Sequence, residues 1–177
     1  MALKFVKPNL KYIDSYLNEL IQLEKENFPD FISASDIKKD KEKFIEDMKL
    51  CEGTRCSEVK PYFVPSTLYW LVNEKTNEYL GRVSIRHSLG NELLQKFGGH
   101  IGYVVAIKHR QKGYAIKLLN FGLEIAKEKE LTEILITCRE DNLISKKIIE
   151  SANALYINSL FSEQSGVNML RYKIILI

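Results

Sequence analysis

Residues 100–119, HIGYVVAIKHRQKGYAIKLL, constrain the fold of this chain more than any other stretch. An apolar run, HIGYVVAI, passes through a basic loop and Gly113 into a segment whose apolar residues recur at helical spacing. Ala115, Leu118, Leu119, Gly122, Ile125 and Ala126 form one face of that helix, and Lys117, Asn120, Glu124, Lys127 and Glu128 form the other. A strand that feeds directly into an amphipathic helix docks that helix on a sheet, so the class is α/β, of the mixed α+β kind.

The rest of the chain extends this unit. STLYWLVN and YLGRVSIRHS, separated by EKTNE, read as a β-hairpin, ILITC as a buried strand and DNLISKKIIES as a short helix. LYINSL and NMLRYKIILI form a closing pair of strands around EQSG. Upstream, Leu3–Val6 predict a strand, Leu10, Ile13, Leu17, Leu20 and Ile21 a helix that breaks at Pro29, and residues 37–50 a second helix. The charge-dense EKEN and DIKKDKEKFIED are solvated helical faces. No repeat or linker interrupts the 177 residues, which predict one domain over 1–177 with its motifs in about 60–177 and an acceptor side shaped by 1–59.

Charge and cysteine usage exclude several classes. A net charge of +3 does not announce nucleic acid or membrane as a partner, and neither is expected. Cys51, Cys56 and Cys138 show no CxxC pair and no metal-ligand spacing, which predicts reduced thiols, no metal and a cytoplasmic location. MALKFVKPNL lacks the apolar core of a signal peptide, and no run reaches membrane-spanning length.

The basic loop poses a chemical question. Lys108, His109, Arg110 and Lys112 crowd a helix start, the end that carries partial positive charge and unpaired N–H groups. Gly113 lets a ligand approach the main chain there, and successive N–H groups then converge on a phosphate or pyrophosphate, whose charge would make the cations tolerable. Neither a Walker A sequence nor a complete GxGxxG is present, which disfavours P-loop hydrolysis and the dinucleotide-binding fold.

RQKGYA, Arg110 to Ala115, resembles the R/Q-x-x-G-x-G/A signature of the GCN5-related N-acetyltransferases (GNAT), and DNLISKKIIE resembles the N-x-x-S helix start of that superfamily. VPSTLYWLV, GRVSIRH, GGHIGY, KGYA and ITCREDN, in this order, resemble a bacterial subgroup of small acetyltransferases of unassigned substrate. The resemblance implies a twisted mixed sheet whose fourth and fifth strands, HIGYVVA and ILITC, splay apart around acetyl-CoA. It places the pyrophosphate on the N–H groups of Arg110, Gln111, Lys112, Gly113, Tyr114 and Ala115, and the pantetheine arm along Val104 and Val105. Asn142 and Ser145 carry over as cofactor contacts, with helix capping as their other role. Three positions depart from the pattern: Ile107 stands where proline is common, SANA replaces Asn-Gly-Gly, and Ile149 occupies the place of a tyrosine acid.

The implied chemistry is transfer of an acetyl group to a primary amine of a small molecule or peptide, with no covalent enzyme intermediate. Such a reaction needs a proton acceptor for the amine and a donor for the oxyanion. His100, where the superfamily often has a glutamate base, is the candidate base. Cys138 reads as a buried structural thiol, Tyr103 and Trp70 as core or pocket wall, and of Arg86 and His87 alternation allows only one to face the acceptor. The competing readings are a non-catalytic acyl-CoA-binding module of the same fold and, third, a nucleic-acid-binding domain using Lys108, Arg110, Lys112, Lys146 and Lys147. A homodimer is compatible with the reading.

Overall fold

A computed structural model describes residues 2–26, 28, 32–60 and 63–176. Aromatic and β-branched residues supply the strands: β1 (Leu3–Val6), β2 (Ser66–Asn73), β3 (Glu78–Arg86) and β4 (Ile101–Val105) pair in that order into one antiparallel sheet. β5 (Glu133–Arg139), β6 (Leu155–Ser162) and β7 (Val167–Ile175) form a second antiparallel sheet in the order β5-β7-β6. The two meet where β4 begins: a single bridge joins Gly99 to Ile136, and beyond it β4 and β5 diverge. This is the expected splay of the fourth and fifth strands.

Strand alternation gives the first sheet two buried faces. Leu71, Val83, Ile85 and Ile101 point to the side covered by α5 (Tyr114–Glu128) and α6 (Leu143–Ser151), and share a core with Ile134, Ile136 and Tyr172 of the second sheet. Trp70 and Val72 point the other way, into a core with α1 (Ile13–Lys25), α2 (Ala34–Lys39) and α3 (Lys41–Leu50). Tyr16 stacks on Trp70 with ring centroids 4.6 Å apart, so the N-terminal helices are fastened to the sheet by aromatic packing.

Two upstream expectations change. Leu10 is exposed, and α1 starts only at Ile13, after which Ile13, Tyr16, Leu17, Leu20 and Leu23 supply its buried stripe. The helix expected over 37–50 is two helices. Asp40 leaves the helical region at φ −151°, and its carboxylate accepts the Lys43 N–H at 2.8 Å, capping a new helix. A short helix, α4 (Cys56–Val59), and a one-turn π-helix at Leu94–Gly98 were not legible beforehand.

Candidate active site

The loop between β4 and α5 makes a 3₁₀ turn at Ile107–His109, then passes through positive φ at Gln111 (61°) and Gly113 (75°). Left-handed residues spaced in this way are an ingredient of anion nests, although the Arg110 N–H itself donates to the Ile107 carbonyl at 3.2 Å. The N-cap of α5 is Gly113, which has no side chain with which to cap it, and no acidic residue stands in its first turn. A Cβ built on Gly113 would meet no heavy atom within 4 Å, so the space over the loop is open.

The basic side chains have other work. Lys108 Nζ pairs with the buried Glu19 at 3.1 Å and lies 3.8 Å from Glu78, and Arg110 pairs with Glu26 at 3.1 Å. Lys112 Nζ donates to the Lys108 carbonyl at 3.2 Å. His109 is buried, and burial together with nearby Lys112 pulls its pKa below the ordinary histidine value. The expectation that a ligand balances these cations is therefore corrected: carboxylates of α1, its C-cap and β3 balance Lys108 and Arg110, and the helix start is left with its main-chain donors.

At the base of the splay, His100 clasps the two sheets. Its backbone N–H donates to the Leu135 carbonyl at 2.8 Å, and its Nδ1 accepts the Leu135 N–H at 2.9 Å. A neutral ring bonded this way carries its proton on Nε2. Burial lowers its pKa. The Thr137 hydroxyl closes the same corner by donating to the Phe97 carbonyl at 2.8 Å. Among the described residues, β4 pairs only with β3 from Ile101 to Val105, so Val104 and Val105 lie on a strand that borders the opening.

Across the opening, the Asn142 side chain accepts the Ser145 N–H at 3.0 Å and caps α6. Ser145 lies beside Tyr103, whose pKa is raised by burial, with the Ser145 side chain acting on its hydroxyl in the opposite sense. Ile149, in the place of the missing tyrosine acid, is core. Cys138 is buried, and burial pushes its thiol up to about 11, which leaves no thiolate at neutral pH.

On the opposite face of the first sheet, a cavity of about 540 Å³ opens between α1, α3, the π-helical turn, β2 and β3. Its walls include Phe44, Met48, Phe63, Leu68 and Leu94, and its floor carries Arg82, Ser84 and Arg86. The Arg82 guanidinium donates to the Tyr16 hydroxyl at 3.2 Å, and that of Arg86 to the Gly99 carbonyl at 3.0 Å. Arg86 faces the cavity, whereas His87 lies within 2.8 Å of the Thr67 hydroxyl and does not line it. Sequence reading missed Arg82 and Ser84. Their signal was present in GRVSIR, where polar residues alternate with Val83 and Ile85.

The structure thus gathers Arg110 to Ala115 at one end of the opening, His100 at its base, and Asn142 and Ser145 on its far side. Among the described residues, no cluster of three or more His, Cys, Asp or Glu side chains could hold a metal ion.

A search of curated proteins finds no match in sequence. Solved structures match its fold. A GnaT-family acetyltransferase from Bordetella pertussis shares 12% identity and a TM-score of 0.69 over 97% of this chain and 94% of its own. The microcin C7 self-immunity acetyltransferase MccE, in complex with acetyl-CoA and AMP, gives 16% and 0.68 over 98% and 92%. RimL, the ribosomal L7/L12 α-N-protein acetyltransferase, in complex with coenzyme A disulfide-bonded to one of its cysteines, gives 14% and 0.70 over 99% and 95%. The family model described as "Acetyltransferase (GNAT) domain" matches residues 17–154, and the chain belongs to that family.

Proposed function

We propose that the protein is an acetyl-CoA-dependent N-acetyltransferase that acetylates a primary amine of a small molecule or peptide by direct attack. The observation that carries this reading is the start of α5, with glycine at its N-cap, open over Gly113 and reached through two left-handed residues, Gln111 and Gly113, beside a strand at the edge of its sheet. Main-chain donors of Gln111 to Ala115 would hold the pyrophosphate, the expected Arg110 N–H being spent on the Ile107 carbonyl, the β4 edge at Val104 and Val105 the pantetheine arm, and Ser145 the thioester end. MccE and RimL, similar in fold, have acetyl-CoA or CoA bound.

The apolar cavity serves as the acceptor site. When the amine attacks, a nitrogen–carbon bond forms and the carbon–sulfur bond breaks. The nitrogen gives up a proton to water, and the sulfur leaves as the CoA thiol after gaining one. Cys138, buried and held as a thiol, takes no part. His100 is read as a positioning residue, because the lone pair of its neutral ring is committed to the Leu135 N–H. This replaces its expected role as base.

The nucleic-acid reading loses its footing, since Lys108 and Arg110 are tied to carboxylates. A second copy of the chain fits the outer edge of β6, LYINSLFS, which has no charged residue to repel its own image and exposes Leu155, Tyr156, Ile157 and Phe161. A screen of amine acceptors that follows release of free CoA thiol tests the activity. Transfer to at least one class of amine is expected. Tight acetyl-CoA binding with transfer to none would favour a non-catalytic acyl-CoA-binding module.

A further inference from the structure

Between β3 and β4 the chain runs through SLGNELLQKFGGH, and this connection supplies one wall of the cavity through Gly90, Asn91, Leu93 and Leu94. It ends in the π-helical turn Leu94–Gly98, closed by the Gly99 N–H, which donates to the Leu94 carbonyl at 2.7 Å. Such turns are rare and concentrate at functional sites, and a turn of this length has too few internal bonds to hold itself. Its position has to be set from outside.

The second sheet does this. Thr137 of β5 pairs with Arg171 of β7, and Arg171 with Asn158 of β6, so the three form a polar row on the face opposite Tyr172 and the core. The Thr137 hydroxyl takes the Phe97 carbonyl. Arg171 donates from Nη2 to the Gln95 carbonyl at 2.9 Å and from Nη1 to the Asn158 side-chain oxygen at 2.9 Å. A guanidinium is a planar, rigid fork, so anchoring one prong on β6 fixes the other over the turn.

The stability of the sheet does not call for an arginine at this position. Its hydrogen bonds go to a neutral amide and a carbonyl, and its buried Nε finds no partner among the described residues. A half-buried guanidinium held in this way loses hydration that a methionine of similar reach would never have had. A residue that breaks a local rule in this manner marks a place where position matters more than stability. We propose that Arg171 is a positioning residue for the acceptor: it holds the Gln95 carbonyl and, through the turn, sets Leu93 and Leu94 against the bound molecule, while itself lining no part of the cavity. The proposal rests on the reading of the cavity as the acceptor site.

Cys51 supplies a reporter that needs no acceptor. It is buried and lines the same cavity, so the rate at which N-ethylmaleimide labels it measures how firmly the wall is held, with Cys138 in the other core as the control. In Arg171→Met, which keeps an apolar stem and loses both donors, labelling of Cys51 followed by peptide mass spectrometry should rise at least about tenfold, and that of Cys138 should stay within about twofold. Thr137→Val, which removes the other tether with little change of shape, should move Cys51 in the same direction, and Arg171→Lys should return it towards the wild type. With phenethylamine as the acceptor, Arg171→Met should raise KM at least about tenfold, with kcat within about threefold and acetyl-CoA affinity within about twofold. Unchanged labelling of Cys51, an equal rise at Cys138, or a fall in kcat with KM unchanged would overturn the proposal. No transfer to phenethylamine by the wild type, with Cys51 still selectively exposed in Arg171→Met, would support the hold of Arg171 on the wall and count against the acceptor reading.

Discussion

One imidazole decides between two accounts of proton transfer. His100 has the residue type of a general base, but its Nδ1 already accepts the Leu135 N–H, and protonating that nitrogen would break the clasp between the sheets. A lost general base typically costs 10²–10⁴-fold, whereas a lost positioning group disturbs binding and packing. We therefore expect His100→Ala to lower kcat/KM by less than about tenfold, to keep the acidic limb of the pH–rate profile, and to weaken acetyl-CoA and lower the melting temperature. A fall of about 10²-fold with the acidic limb gone and acetyl-CoA affinity intact would restore His100 as the base. The sequence offered a histidine at the right strand end, but its tautomer is set by a backbone group 35 residues away.

At the scale of elements, the β4–loop–α5 unit was legible because its signals are local: an apolar strand, a glycine at positive φ and a helix whose buried face is the predicted one. The hairpin and the opposite facings of Arg86 and His87 followed from strand alternation in the same way. What could not be read was long-range. The partner of Arg110 lies 84 residues upstream, and the cavity draws its walls from five separate elements. The break at Asp40 was hidden inside a run of charges dominated by Lys and Glu, which favour helix, where a single aspartate cap makes the difference. The ion pair linking the loop to α1 yields a prediction. Lys108→Ala leaves the buried Glu19 carboxylate without its partner, which should cost about 1–3 kcal/mol. A chain of this size would lose about 2–4 °C of melting temperature per kcal/mol. Acetyl-CoA affinity should stay within about twofold. An unchanged melting temperature with much weaker binding would mean that Lys108 faces the ligand after all.

Across the whole molecule, all three histidines point to one pH dependence. Burial leads the causes that lower His87, His100 and His109, so each resists protonation in the fold more than in the unfolded chain. Below about pH 6.5, the ordinary histidine value, the unfolded chain therefore binds more protons, and stability falls as pH drops through the depressed folded values. Melting temperatures should decline from pH 7.5 to pH 5.5, and less steeply in His109→Gln. A flat curve over that window would show that these rings titrate normally. In the proposed function, two splayed sheets and a helix that starts at Gly113 form an acyl-CoA site held by main chain. It is tested most directly by titrating acetyl-CoA calorimetrically into the wild type and into Gly113→Val. A Cβ at φ 75° disfavours the turn and projects into the open space over the loop. Saturable binding to the wild type and a loss of at least about tenfold, or about 1.4 kcal/mol, in the variant are expected. Equal affinity in both proteins, or no binding in either, would contradict the proposed site.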